Sequence, residues 1–366
     1  MTAALFVVGG GTQWDDALRI AAELPGRHRV LDLDTLTVAA PPPPGSPYHG
    51  AHWPDQGLRV VQAVMRTVAR LAPETDVVVL GQDAGRLQRV AVRASRRHGL
   101  PVAVVPDGAL FDARAALPAR LRVQEMVLRW CGATSGEPLR FGATAPDLWC
   151  AWGEGWIPML RQFSPHGRVV VTGSPRASDL AALPATRADH ARILVCSQPT
   201  WVHPFPPSET AGPAWYGWVD RIVRSAPPGS VRVRLHPRER DIRDRLALGD
   251  AVIAAATHRT SLAEDLAETD SVVAPFSTVL IEAAAAGRRV LSVIPEAGCA
   301  SVRDRSPALV DRELAVCRVD DVPDHRALVA ALAVHGDVTE WGARYARVAP
   351  DTASRCATAL TDLVAA

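Results

Sequence analysis

One recurring pattern restricts this chain more than any other. A run of about four or five apolar residues ends abruptly in small or turn-forming residues, and a helical period then takes over. Ala4–Val8 runs into Gly9, Gly10 and Gly11, and Asp76–Leu80 reads DVVVL. Val102–Val105 stops at Pro106-Asp107-Gly108, and Ser271–Ala274 stops at Pro275-Phe276. A strand that is apolar on successive residues has both faces buried, as in a parallel sheet covered by helices. Trp14–Leu24 follows the first run with Trp14, Ala17, Leu18, Ala21 and Ala22 on one stripe, which predicts a helix. The fold class expected is therefore α/β.

The pattern occurs in two series. In the first, Val30–Leu33, Leu148–Ala151 and Arg168–Thr172 read as further strands, and Leu58–Leu71 and Arg86–His98 as helices. Pro41–Pro44 is a rigid extended loop. The stretch Pro175–Asp189, with Pro184 inside it, reads as a linker. The second series has strands at Ile193–Cys196, Val231–Leu235, Ser271–Ala274 and Arg289–Val293. Its helices fall at Trp215–Ser225, Asp241–Leu246 and Ser277–Ala286, and Ala353–Val364 closes the chain as a helix. With 366 residues, the chain exceeds the roughly 250–300 at which single cores split. The expected division is 1–175, 176–349 and a C-terminal helix at 350–366. The expected architecture is two Rossmann-like domains facing a central cleft, with ligands beyond the carboxyl ends of the strands.

Composition narrows the chemistry. All 40 basic residues are Arg, and the chain has neither Lys nor Asn. That excludes a phosphate-loop lysine, a Schiff-base lysine and a Cys-His-Asn protease arrangement. A G+C-rich coding sequence accounts for the absences. The 39 acidic residues bring the net charge to +1, which argues against nucleic acid as a partner. The first residues have no basic region ahead of the apolar run, and no apolar stretch is long enough to span a bilayer, so a cytoplasmic location is expected. The six cysteines, Cys131, Cys150, Cys196, Cys299, Cys317 and Cys356, lack metal-ligand spacing and are expected to be buried, reduced thiols.

Candidate chemistry lies in the loops after strands. Ser277 and Thr278 open a helix at a strand's carboxyl end, where backbone N–H groups and the helix dipole favour a phosphate. Glu282, one turn in, is placed to accept from ribose hydroxyls. An ordinary capped helix has the same signature. His236 and Pro237, followed by Arg238, end the Val231–Leu235 strand, so a backbone fixed by proline presents an imidazole to a phosphate oxygen. Asp107 ends another strand as a general-base candidate, though Asp-Gly is also common in turns. Gly10 and Gly11, with Thr12 and Gln13, allow a ligand to approach the backbone; Ser197 and Gln198 follow the first strand of the second series. Gly173-Ser174 and Glu154 are weaker candidates. Asp32 and Asp34 match a metal-binding Asp-x-Asp but fit a strand better. Trp201, His203 and Trp215 fit packing or a rim.

Taken together, the glycine-turn start, VTGSPRASD, the post-strand SQP, LHPRE and SVVAPFSTVLIEAAAAG resemble the two-domain (GT-B) glycosyltransferases of bacterial surface polysaccharides. The resemblance is to polysialyltransferase- and sialyltransferase-like enzymes, capsular Kdo transferases and CDP-glycerol glycerophosphotransferases. It implies an inverting, metal-independent transfer of a sugar or polyol phosphate from a CMP- or CDP-linked donor. Residues 1–175 would be the acceptor side and 176–349 the donor side. His236, Pro237, Ser277 and Thr278 would hold the donor phosphates, and Asp107 would be the base, although Pro106 replaces the first acid of that family's motif. The implied partners are a nucleotide-sugar donor and a glycan or lipid-linked acceptor, with peripheral membrane association; no cofactor is implied. Two alternatives stand beside it: a UDP-sugar 2-epimerase-like isomerase and a non-catalytic nucleotide-sugar-binding protein.

Overall fold

The computed structural model describes residues 1–44, 57–108, 110, 119–136, 141–186, 192–198, 211–236, 239, 248–257, 259, 261–295 and 306–366. They form two compact units, Met1–Ser178 together with Ala349–Ala366, and Asp179–Val348.

The first unit is built on a seven-stranded sheet. Its strands are β1 (Ala4–Val8), β2 (Arg29–Asp32), β3 (Thr37–Ala39), β4 (Val77–Leu80), β5 (Val102–Val104), β6 (Leu148–Ala151) and β7 (Arg168–Val171), in the order β3-β2-β1-β4-β5-β6-β7. All neighbours are parallel except β3, which pairs antiparallel with β2. Phe6 lies between Val30 and Val79 in the register. Strands β1, β4, β5 and β6 are buried along their whole length, as their unbroken apolar runs require. The short edge strand β3 was not legible in advance, because its half-exposed Thr-Val-Ala carries no buried run. The core under β1 takes in Cys356, Ala357, Ala359 and Leu360 from the helix Thr352–Ala365.

The second unit holds a five-stranded parallel sheet: β8 (Ile193–Cys196), β9 (Val231–Arg234), β10 (Ser271–Ala274), β11 (Arg289–Ile294) and β12 (Val316–Arg318), ordered β12-β11-β10-β8-β9. At its amino end the buried Asp270 carboxylate accepts from Arg192 Nε and Nη2, both at 2.8 Å. That fork ties the entries of β8 and β10 together. Trp215 and Trp218 pack in the core with rings 4.9 Å apart, and Trp218 donates to Val322 O at 2.7 Å. Trp215 is therefore a packing residue. At the edge, β9 alternates, its arginines pairing with acids: Arg232 with Glu268 and Arg234 with Asp265.

Each sheet winds outward from one strand and then returns to that strand's other side: β1 to β2 then β4, and β8 to β9 then β10. Loops leaving the strands at such a reversal part from each other, and their carboxyl ends are where open α/β sheets take ligands. Among the described residues, no helix is long and apolar enough to cross a membrane.

The cysteine expectation needs one correction. Cys150, Cys196 and Cys356 are buried and Cys317 half-buried, but Cys131 is exposed, because it follows a helix whose outer face meets solvent. All five are free thiols, and Cys299 lies outside the described residues, as does the predicted helix Asp241–Leu246.

The helix Thr278–Ala285 packs against the helix Thr339–Tyr345 at Gly342. A methyl group at Gly342 would stand 2.4 Å from Ala285 N and 2.5 Å from Ala284 C, both backbone atoms. Gly342→Ala is accordingly expected to lower stability by about 1–3 kcal/mol, as overpacking does. Urea unfolding followed by far-UV circular dichroism measures it, and an unchanged midpoint would show that the helices separate at little cost.

Candidate functional site

In the second unit, the register brings three loops to one place. Val195 pairs with Val273 across β8 and β10, and Cys196 pairs with Arg234 across β8 and β9. Ser197, His236 and Pro275–Ser277 therefore leave neighbouring strands at the same end of the sheet. The first two of these loops meet at a buried carboxylate that the sequence did not single out, Glu239, which has no solvent exposure. Its Oε1 accepts from the Tyr216 hydroxyl at 2.6 Å, and its Oε2 accepts from Ser197 Oγ and from His236 N–H, the latter at 2.9 Å. His236 N–H also reaches Ser197 Oγ at 2.9 Å. Burial raises the Glu239 pKa, while the donors from Ser197, Tyr216 and His236 oppose the rise. The signal was present in the sequence, three residues after His236 in LHPRE.

Of the predicted donor residues, Ser197 is thus committed to fixing the His236 loop. Gln198 is half-buried, and its Oε1 is enclosed with no hydrogen-bond partner among the described residues. Ser277 is the N-cap of the helix Thr278–Ala285, its Oγ accepting from Val279 N–H at 3.3 Å. Thr278 is the first helical residue, and Glu282 is buried further along. Pro237 and Arg238 lie outside the described residues, with Trp201 and His203. A capped helix start at the same end of the sheet as the His236 loop can receive an anionic group, because the helix N-terminus carries partial positive charge.

The first unit holds a separate cluster around Asp107. Gln13 bridges two loops: its Oε1 accepts from Gly9 N–H at 2.9 Å, and its Nε2 donates to Asp107 Oδ2 at 2.8 Å. Asp107 N–H donates to Gly81 O at 3.0 Å. Arg176 donates to Asp107 O at 3.2 Å and to Thr12 O at 3.3 Å, and pairs with Asp16 at 3.5 Å. Its guanidinium lies 5.8 Å from the Trp152 ring centroid, and Trp152 Nε1 donates to Pro106 O at 2.7 Å. Burial raises the Asp107 pKa, and the Gln13 bond and Arg176 charge pull against it. A half-buried carboxylate held in this way suits proton abstraction, since its basicity lies nearer neutrality than that of a solvated aspartate. Arg176 was visible only as part of VTGSPRASD and was not singled out.

Gly10 precedes the helix Gly11–Glu23 with φ 129°, a conformation that suits glycine, and no side chain caps that helix. Asp32 accepts from Asp34 N–H and Thr35 Oγ1, both at 2.9 Å, which is turn chemistry. Ser174 is buried and Glu154 exposed. Among the described residues no group of three or more His, Cys, Asp or Glu side chains is gathered as for a metal ion.

No family model and no curated protein matches the sequence. Solved structures do resemble the fold. A UDP-GlcNAc 2-epimerase from Neisseria meningitidis, bound to UDP-GlcNAc, aligns over 100% of both chains with a TM-score of 0.57 and 12% identity. The S. aureus MnaA–UDP structure aligns over 97% of this chain and 95% of its own, with a TM-score of 0.57 and 10% identity. A structure of the wall teichoic acid polymerase TagF covers all of this chain and 89% of its own, with a TM-score of 0.59 and 10% identity. This chain has the two-domain GT-B fold. The likeness is to GT-B enzymes broadly and does not single out the sialyltransferase-like or Kdo-transferase-like groups.

The Glu239 environment makes a testable demand. A carboxyl whose pKa is raised by folding favours the folded state below its unfolded pKa, and that contribution is lost as pH rises through the folded pKa. Wild-type protein should therefore lose stability relative to Glu239→Gln as pH climbs through this range. Paired denaturant titrations at several pH values measure the difference, and parallel curves would show Glu239 to be solvated.

Proposed function

We propose that this chain is a nucleotide-sugar enzyme that transfers a sugar or polyol phosphate from a nucleotide-activated donor, CMP- or CDP-linked, to a hydroxyl of a glycan or lipid-linked acceptor. One observation carries the reading. In a GT-B-fold unit, sheet register gathers the Ser197 loop, His236 and the Ser277-capped helix start at one end of three adjacent parallel strands. That is a site for the donor diphosphate or phosphate, its negative charge met by helix N–H groups and an imidazole. Pro237, Arg238, Thr278, Glu282 and Gln198 belong to the same proposed donor site. In the first unit, Gly10 and Gly11, at the start of the helix Gly11–Glu23, are proposed donor contacts, and Asp107 is the proposed base for the acceptor hydroxyl. For a sugar, the hydroxyl attacks the anomeric carbon opposite the departing phosphate and inverts it; for a polyol phosphate, the hydroxyl attacks phosphorus and the nucleoside monophosphate leaves. Helix dipole and histidine take the leaving-group charge, so the proposed step uses no metal.

A second reading has its own support: UDP-GlcNAc 2-epimerases are among the structures that resemble this chain over nearly its whole length. An epimerase converts a nucleotide sugar without any acceptor, whereas a transferase requires one. A protein that binds but does not turn over would be indifferent to the loss of Asp107.

Thermal shift with CMP, CDP, UDP and GDP tests the donor site. Stabilisation by a cytidine nucleotide that is lost in His236→Ala and Ser277→Ala is the expected result. Stabilisation by UDP alone would remove the cytidine assignment, and no response to any nucleotide would defeat the reading. For catalysis, Asp107→Asn is expected to lower acceptor-dependent turnover by about 10²–10⁴-fold, the usual worth of a positioned base.

The acidic limb of the rate profile follows from the same carboxylate. As a base Asp107 must be ionised, so kcat/KM rises with pH through its raised pKa. Gln13→Leu removes a hydrogen bond that favours the ionised form. That limb should therefore move to higher pH in the variant, and an unmoved limb would assign the base elsewhere.

A further inference from the structure

Two cysteines meet in the core of the first unit. Leu148 and Cys150 face the same side of β6, as alternate residues of a strand do. Both belong to the apolar cluster that takes in Cys356 from the helix Thr352–Ala365. Each of the two cysteines is 0% exposed. Neighbouring bonds set them at one level. Ala151 pairs with Val171 across β6 and β7, and Arg355 Nη2 donates to Val171 O at 2.9 Å. Cys150 precedes Ala151 and Cys356 follows Arg355, so strand and helix bring the thiols together, and they share a hydrogen bond.

The two sit on parts of the first unit that the chain supplies separately, Met1–Ser178 and Ala349–Ala366, with the whole second unit between them. Apolar packing holds the helix Thr352–Ala365 on the sheet, with side-chain bonds from Arg355 to Val171 O, from Thr352 Oγ1 to Pro175 O at 3.5 Å and between the exposed Arg168 and Asp362 at 3.4 Å. An element held in this way can open locally at a free energy below that of global unfolding. Closed, the pair is unreactive. The hydrogen bond with Cys356 and burial raise the Cys150 pKa well above that of a free thiol, against the Thr172 hydroxyl and the Arg168 charge. The thiolate is the nucleophilic form. Opening the helix removes the hydrogen bond and the burial together and admits a reagent.

We propose that Cys150 and Cys356 form a redox latch: when the helix Thr352–Ala365 opens, a low-molecular-weight disulfide oxidises the pair to a disulfide that fixes the helix to β6. In the open form one thiol loses its proton to water, and its thiolate attacks a sulfur of the oxidant. The oxidant's S–S bond breaks, and its other half leaves as a thiolate that takes up a proton. The second cysteine then attacks the mixed disulfide in the same way and expels the remaining half. Two electrons pass from the two cysteines to the oxidant, which ends as two thiols carrying the two protons. The new bond closes a covalent ring that contains the whole second unit, and a long closed loop restricts the unfolded chain more than a short one. The latch is independent of the nucleotide site, and no nucleotide enters its test.

The test incubates the full chain with oxidised glutathione, with and without urea below the unfolding transition, and maps the products by mass spectrometry. The chain has no lysine, so trypsin cuts after arginine alone and leaves the two cysteines on separate peptides, residues 141–161 and 356–366. The expected product is these two peptides joined, two hydrogens lighter than their sum and separated by reduction. It should form several-fold faster in urea, and amide hydrogen exchange in the helix Thr352–Ala365 should slow by roughly tenfold or more once it has formed. Cys150→Ala and Cys356→Ala should each abolish the joined product and leave glutathione on the remaining thiol. Where circular dichroism shows that an alanine variant has not folded, the wild-type map alone decides. Glutathione on both cysteines without ring closure, a bridge from either one to another cysteine, no bridge in urea, equal rates with and without urea, or unchanged exchange in the bridged protein would each overturn the proposal.

Discussion

A carboxylate removed from water has to be surrounded by donors, and in each unit that demand fixes a loop after a strand. Glu239 draws in a serine from the loop after β8, a backbone N–H from the loop after β9 and a tyrosine from the helix Ala211–Ser225. None of these groups is close to the others in sequence. If the carboxylate lacked any one of them, part of its charge would be buried without compensation, at a cost of the order of 1–3 kcal/mol or more. The position of His236 therefore follows from the solvation of its neighbour. In the first unit, Asp83 is buried in the same way, accepting from Gly142 N–H and from Thr144 N–H and Oγ1. Asp107, partly open, is aimed by Gln13 and Arg176 instead. The fully enclosed acids are fasteners, whereas the half-enclosed one is oriented by its neighbours without being sealed from water.

The strands were legible because a doubly buried strand has no alternative way to be written. Ile193–Cys196, Ser271–Ala274 and Leu148–Ala151 fall where their apolar runs place them, and Leu58–Leu71 where its period does. What escaped has physical reasons. The helix Ala119–Trp130 exposes Val123, Met126, Val127 and Trp130 and buries Leu128, so its pattern does not describe a core-facing helix. Glu239 and Arg176 are polar residues whose importance comes from partners far along the chain, about which local pattern is silent. The Ser277 cap was legible because a cap is a local bargain between a side chain and a backbone two residues on. Its partner loops were legible only as separate strand ends, and sheet order was needed to bring them together.

The fold constrains the chemistry without choosing it. Enzymes whose solved structures resemble this one include epimerases and a polymerase, which share the sheet arrangement at identities of 10–13%. At such distances the shared physics is the strand-end geometry, and the chemistry resides in whichever side chains occupy it. An all-arginine basic complement suits this design. Guanidinium groups hold their charge at any working pH and fork onto carboxylates and phosphates, as Arg192 does on Asp270.

The chain reaches the core of its first unit twice. Residues 349–366 return to it after the whole second unit has been built, and Cys356, Ala357 and Leu360 fill space beneath β1 that no earlier segment occupies. During synthesis, then, the first unit waits with an open hydrophobic face until its closing helix has left the ribosome, and the second unit can finish before it. A single cut after Ser178 would part the first unit from its own last helix, which would stay on the piece that carries the second unit. All residues of the second unit precede in the chain the last helix that the first unit needs.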